Sequence, residues 1–110
     1  MENFIAGVVL TAPSIKTEQE LVELAQPFAQ AIGSVTRGST IELHWGYWHP
    51  TQELERSVWV WAQCQDDRQQ LEVLSLIQPM LIQWGHENKQ QAVALIETDK
   101  KLLVIDLVPV

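Results

Sequence analysis

Positive charge is scarce in this sequence. Only 7 of its 110 residues are Lys or Arg, whereas 14 are Asp or Glu, and the formal net charge is −7. The basic residues are scattered and form no stripe suited to a phosphate backbone, so we expect no nucleic-acid partner. The acidity either keeps the protein soluble or serves a basic protein partner, and the sequence leaves both alternatives open.

Cysteine and long apolar runs are also scarce. Cys64 is the only cysteine, which rules out an internal disulfide and favours a reducing cytoplasm. The apolar stretches are much shorter than the roughly 20 residues that a membrane span needs. The first residues, MENFIAGVVLTAP, lack the cationic lead of a signal peptide. We therefore expect a cytoplasmic protein without a membrane partner, whose first apolar run is a strand.

Side chains that commonly carry out chemistry are few and dispersed. His44 and His49 are five residues apart on a predicted strand, so regular alternation places them on opposite faces, where they are poor metal ligands. Cys64 lies near Asp66 and Asp67, which disfavour a thiolate. The segment TRGST is too short for a phosphate-binding loop. The sequence therefore predicts no metal, no cofactor and no assignable catalytic residue.

Two segments have the apolar periodicity of a helix although each contains a proline. Pro27 and Pro79 lie toward the solvent flank of their patterns, where a proline bends a helix without ending it. Thr17 and either Asp66 or Asp67 are the predicted N-caps, and Gly33 and Gly85 the predicted ends. The apolar stripes are Leu21, Leu24, Ala25, Phe28 and Ile32 in the first helix, and Val73, Leu76, Ile77, Met80 and Trp84 in the second.

The two halves of the chain repeat the order strand, helix, strand. A shift that superposes Pro27 on Pro79 also superposes Leu24 on Leu76 and Val8 on Val60. We expect one domain over residues 1–110, built from half-repeats at about 4–48 and 57–97. A further strand at about 102–108 follows the turn TDKK. The predicted fold is α+β, a ferredoxin-like βαββαβ sandwich with an extra C-terminal strand and two helices on one face of an antiparallel sheet.

The face of this sheet that carries no helices is the predicted working surface. Val58 and Val60 match strand positions that face the helices, so Trp59 and Trp61 face away from them. A bulge at Gly46 would bring either Tyr47 or Trp48 to the same face. The predicted ligand or dimer face comprises Ile5, Val9, His44, Trp48, Trp59, Trp61 and Ile96.

Such a face is too apolar to stay in water. Each tryptophan can bury roughly 150–250 Å², and leaving this surface wet would forfeit on the order of 10 kcal/mol. A homodimer through the open face is the simplest cover. The alternatives are the C-terminal segment LVPV folded across the sheet, or another partner.

The order of elements and the apolar open face resemble the dimeric α+β-barrel superfamily, in which ferredoxin-like subunits pair through their sheets. The segment SVWVWAQCQDDRQQLEVL is similar to the third strand and second helix of its small cofactor-independent monooxygenases. This resemblance covers the whole chain as topology and implies a homodimer. It carries no functional residue of that group onto a position of this chain.

Three functions fit these observations. The first is a small homodimeric binding or assembly protein of unknown ligand, for which a small apolar molecule is one candidate. The second is a cofactor-independent enzyme of the small monooxygenase type, with a pocket lined by tryptophan and His44. The third is an acidic, inhibitor-like protein that binds a basic partner. The sequence favours the first because it shows no cluster of polar catalytic groups, and it leaves open whether the protein is an enzyme.

Overall fold

A computed structural model describes residues 3–11, 17–49 and 52–108. The described elements form a five-stranded antiparallel sheet in the order β2-β3-β1-β4-β5, with two helices. This confirms the predicted α+β, ferredoxin-like topology with its additional strand. The elements are β1 (Ile5–Thr11), α1 (Glu18–Thr36), β2 (Thr40–Trp48), β3 (Glu53–Gln63), α2 (Asp67–Glu87), β4 (Ala92–Ile96), a single 3₁₀ turn (Thr98–Lys100) and β5 (Leu102–Asp106).

The core lies between the helices and one face of the sheet. Val8 of β1 pairs with Val60 of β3 on one side and with Leu95 of β4 on the other, and paired residues share a face. These three side chains are at most 1% exposed. The helices close the core from above with fully buried residues, which are Leu21, Ala25, Phe28 and Ile32 from α1 and Val73, Ile77 and Leu81 from α2.

Both predicted N-caps are present. The Thr17 hydroxyl accepts a hydrogen bond from the Glu20 amide at 3.1 Å, and Asp66 Oδ1 accepts one from the Gln69 amide at 2.8 Å. Each cap satisfies an amide that has no partner within the first turn of its helix. Of the two aspartates that the sequence offered, Asp66 is therefore the cap.

The predicted helix ends are wrong by a few residues. α1 continues past Gly33 to Thr36, because Arg37 adopts the left-handed conformation (φ 75°) and its amide donates to the Gly33 carbonyl. Gly85 lies inside α2, where it serves close packing. A Cβ atom there would meet Leu107 Cδ1 at 2.5 Å and Val93 Cγ1 at 2.6 Å.

The two prolines lie inside continuous helices. Pro27 is in the middle of α1 and Pro79 in the second half of α2, and both are exposed. Proline has no backbone N–H, so one carbonyl of the preceding helical turn lacks its usual donor. On the solvent side of a helix, water can donate to this carbonyl instead. The predicted solvent-side position is confirmed, whereas the bend and the description of the chain as two half-repeats stay predictions.

The hairpin of β2 and β3 is longer than the sequence predicted. β3 begins at Glu53, four residues before the predicted position 57, and pairs with β2 from Trp48–Glu53 to Thr40–Trp61. This register has no bulge at Gly46. The segment ELERS lacks the alternation of apolar and polar residues that predicts a strand. Both faces of this part of β3 are near water, so neither face requires apolar side chains.

The C-terminal segment does not fold across the open face in the part that the structure describes. Leu107 packs on the helix side against Gly85, and Val108 is 78% exposed. Pro109 and Val110 lie outside the described residues. Neither described helix is long and apolar enough to cross a membrane.

The cap geometry makes a stability prediction. Replacing Thr17 or Asp66 by alanine should lower the free energy of unfolding by about 1 kcal/mol each, because one helix amide loses its acceptor. Urea denaturation followed by circular dichroism measures the change. Gln30→Ala, an exposed substitution inside α1, is the control and should leave the midpoint almost unchanged. A midpoint for Thr17→Ala equal to that of the control would contradict the cap.

Candidate functional site

The sheet face opposite the helices, here called the open face, holds two tryptophans side by side. Trp59 pairs with Val9 on β1 and with Glu42 on β2, and Trp61 pairs with Gly7 on β1. Because these positions alternate with the buried core row of β3, both indoles lie on the open face, where they are half-buried. The face assignment made from the sequence is therefore correct.

The other predicted site residues lie in different environments. Val9 is half-buried next to Trp59, whereas Ile5 and Ile96 are 5% and 0% exposed and so offer little surface to a partner. Trp48 belongs to β2, but its side chain lies outside the described part of the chain. Tyr47 pairs with Leu54 on the helix side and is 58% exposed, so it does not join the open face.

Gly7 allows Trp61 to lie close against β1. A Cβ atom at Gly7 would come within 2.6 Å of Trp61 Cβ and 2.7 Å of Trp61 Cα. These distances are far inside van der Waals contact, so any larger residue would push the two strands or the indole apart. The glycine in the middle of β1 is thus a condition for the position of Trp61.

Glu42 is the centre of a polar cluster on the open face. The Trp61 indole N–H donates a hydrogen bond to Glu42 Oε1, and Lys100 Nζ lies 3.7 Å from the same oxygen. His44 Nε2 lies 3.3 Å from Glu42 Oε2. We call Glu42, His44, Trp59, Trp61 and Lys100 the Glu42 cluster.

Aromatic contacts order the same cluster. The His44 ring stacks on Trp59 with centroids 4.6 Å apart and planes at 27°. The Lys100 ammonium lies 4.5 Å from the centre of the Trp61 ring, in a cation–π contact. Each indole therefore has a polar neighbour, and these contacts order the side chains that surround Glu42.

Lys100 reaches the cluster through a strained turn. Asp99 and Lys100 both have left-handed backbone conformations, at φ 59° and 58°, as the two central residues of a type I′ turn require. Aspartate tolerates this conformation, whereas it is unusual for lysine. Gln70 Nε2 donates to Thr98 Oγ1 and to the Ile5 carbonyl, both at 2.8 Å, and so ties this turn to β1.

Lys100 is a site residue that the sequence did not indicate. It is one of several scattered basic residues, and TDKK predicts only a turn. A tight turn between two apolar strands does indicate a hairpin. Which hairpin residue bends over the sheet depends on the backbone conformation at Asp99 and Lys100, which the sequence pattern alone does not specify.

The cluster keeps Glu42 ionised. The hydrogen bond from Trp61 lowers the pKa of the Glu42 carboxyl below its ordinary value, and the charges of Lys100 and His44 act in the same direction. Partial burial opposes this shift. Since the folded pKa is lowered, the stabilisation from this carboxylate is present above the ordinary pKa and is lost as the pH falls through the folded value.

Two concave regions lie along the open face, and the first of them adjoins the cluster. A cavity of about 230 Å³ is bordered by His44 and Trp59. Its other lining residues are Val9, Thr11, Trp45, Gly46, Glu55 and Ser57. A wider depression of about 590 Å³ continues from Thr11 and Glu55 toward the loop before β4. The face thus offers aromatic walls at one end and polar groups at the other.

The remaining candidate residues form no second site among the described residues. Cys64 is buried. This burial raises the pKa of its thiol, and the nearby Asp66 carboxylate raises it further. His49 and His86 are exposed, with His86 in the last turn of α2. Within 3–11, 17–49 and 52–108, no three His, Cys, Asp or Glu side chains are grouped as metal ligands.

The chain matches no family model and no curated protein in sequence. Its fold is similar to that of a phage SAM lyase in the apo state, with a TM-score of 0.63 and 12% identity over 96% of this chain and 90% of that chain. A phage SAM lyase in complex with S-methyl-5′-thioadenosine has a TM-score of 0.52 and 12% identity, over 94% of this chain and 89% of that one. At this identity the likeness shows a shared fold.

The Glu42 cluster makes a titration prediction. Trp61→Phe keeps an aromatic ring but removes the N–H that donates to Glu42, so the pKa of Glu42 should rise toward its ordinary value. Protonation of Glu42 destabilises the fold as the pH falls, and in this variant that loss of stability should begin at a higher pH. Carbon-detected NMR titration of the Glu42 carboxyl measures this shift directly.

The matched control is Trp45→Phe, since Trp45 lies on the opposite side of the same sheet. An unchanged Glu42 titration in Trp61→Phe would show that the indole hydrogen bond does not set the pKa.

Proposed function

We propose that the protein binds a small ligand with an aromatic ring, held on the open face at the Glu42 cluster. One observation carries this proposal: two half-buried indoles lie side by side around an ionised carboxylate, next to a cavity of about 230 Å³. Apolar walls with a few fixed polar groups are typical of small-molecule sites.

The chemistry of the cluster suits a nucleoside. Purine rings stack on indoles, and such stacking contributes about 1–3 kcal/mol per base by alanine substitution. Glu42 can accept hydrogen bonds from ribose hydroxyls, and the Lys100 ammonium can donate to ring nitrogens or hydroxyls. Because the Trp61 indole already donates a hydrogen bond to the carboxylate, and Lys100 and His44 lie within 3.7 Å and 3.3 Å of it, a ligand meets a site that is partly ordered in advance.

The structural neighbours support adenine nucleosides as the ligand class. One neighbour is a SAM lyase, and the other is a SAM lyase bound to S-methyl-5′-thioadenosine, which combines an adenine ring, a ribose and an apolar thioether. S-Adenosylmethionine adds a sulfonium cation, which both a carboxylate and an indole face attract. The cavity is small for a ligand pocket, so it accommodates the ring while the rest of the nucleoside lies across the open face.

Cofactor-independent catalysis is a second candidate, favoured by the 3.3 Å approach of His44 to Glu42. An imidazole next to a carboxylate is a common general acid–base arrangement. The homodimer through the open face and the basic protein partner stay predictions, as does a cytoplasmic location.

The proposal is tested by calorimetric titration with S-methyl-5′-thioadenosine, adenosine and S-adenosylmethionine. Trp59→Leu keeps an apolar side chain but removes the stacking surface, and it should weaken binding by about tenfold or more. Glu42→Gln should weaken the binding of S-adenosylmethionine more than that of the uncharged S-methyl-5′-thioadenosine, because only S-adenosylmethionine carries a sulfonium.

Glu72→Gln, an exposed change on α2, is the control and should bind as the wild type does. Chromatography of the incubated ligands tests catalysis in the same samples. Absence of binding for all three ligands, or equal binding by Trp59→Leu, would contradict the proposal.

A further inference from the structure

β2 is an edge strand without the usual protection. All nine of its residues pair with β3, in an unbroken register, while no strand of the described chain pairs with its outer side. Natural edges are commonly blocked by proline, lysine, a bulge or shortness. The segment TIELHWGYW contains no proline and no lysine, and the register has no bulge. The other edge, β5, has only five residues, with Lys100 and Lys101 before it and Asp106 at its end.

A row of apolar side chains follows this edge on the helix side. Ile41, Leu43 and Trp45 lie on the helix side of the sheet, but they are 37%, 42% and 64% exposed, because α1 covers the edge strand only in part. Tyr47 continues the row and is 58% exposed. A contiguous apolar row beside an open strand edge marks a surface for association.

We infer that β2 pairs in an antiparallel manner with β2 of a second copy of this chain, around a two-fold axis at Leu43. In this register Glu42 of each copy faces His44 of the other. The Glu42–His44 contact within each copy is thereby extended to two carboxylates and two imidazoles around the axis. On the helix side Leu43 faces its own equivalent, and Ile41 faces Trp45. Cross-strand pairs of these types stabilise a sheet.

The sequence of β2 favours a second copy over a different partner strand. Glu42 is the only acidic residue of the strand, and the two-fold register places it opposite the basic group of the same strand rather than opposite another carboxylate. An interface in which one surface meets itself closes after two copies. A register centred on His44 would instead place Glu42 opposite Gly46 and lose the pairing of carboxylate with imidazole. The result is a continuous ten-stranded sheet whose two open faces remain accessible to ligand.

Sedimentation velocity tests this interface. The wild type should be a dimer at micromolar concentrations, and Leu43→Lys should raise the dimer dissociation constant by about tenfold or more, because lysine blocks a strand edge. The matched control is Leu71→Lys, which changes an exposed leucine of α2 and should leave the dimer intact. Circular dichroism confirms that both variants are folded.

The variant Val104→Lys separates the two interfaces, because Val104 is 60% exposed on the open face and lies on β5, at the opposite edge of the sheet from β2. It should stay dimeric if β2 is the interface, whereas a monomer would assign the dimer to the open face and overturn the inference. A wild type that is monomeric up to about 100 µM would also overturn it. These results do not depend on ligand binding, so the inference and the proposed function fail separately.

Cross-linking tests the register. Leu43→Cys places one thiol opposite its equivalent, so a short bismaleimide should give a covalent dimer in high yield. Tyr47→Cys is the control, since this register separates its two thiols by about eight residues, or roughly 26 Å. The native Cys64 is buried and gives the background. Equal cross-linking of the two variants would overturn the register centred on Leu43.

Discussion

The register between β1 and β3 is the constraint on which the other features depend. Val8 opposite Val60 turns one set of residues toward the helices and leaves Trp59 and Trp61 on the other side. A slip by one residue would exchange the two sets and place both indoles under the helices. The close fit of Gly7 against β3 works against such a slip, because a side chain at that position would overlap the Val60 carbonyl and the Cα and Cβ atoms of Trp61. The same contact therefore fixes the core and the candidate site.

Glu42 converts an apolar sheet face into a polar site. Without the indole N–H of Trp61 and the ammonium of Lys100, partial burial would raise the pKa of this carboxyl. With these partners its pKa is lowered, and the charge persists beside two aromatic rings. The left-handed turn at Asp99 and Lys100 costs conformational energy, and it places the Lys100 ammonium over the Trp61 ring.

The sequence was sufficient for the topology because that depends on repeating patterns. Alternation in VWVWA, helical periodicity around Pro27 and Pro79, and the caps at Thr17 and Asp66 are local signals. The sequence did not predict features that depend on contacts between residues far apart in the chain. Gly85 remains helical because Leu107 and Val93 pack against it. Ile41 and Leu43 face the helix side yet remain exposed, because strand order places β2 at the edge. The periodicity of the sequence does not indicate how much of the sheet the two helices cover.

Strand β2 connects the two proposals. Its open-face residues Glu42 and His44 belong to the Glu42 cluster, where ligand binding is proposed, and the same two residues would face each other across the proposed two-fold dimer. A ligand that draws on Glu42 must change how strongly this carboxylate attracts the imidazole of the second copy. Thermodynamic linkage makes such an effect reciprocal, so dimerisation would change ligand affinity by the same factor. The apolar row on the helix side is unaffected by this competition, and it would hold the two copies together while the polar residues rearrange.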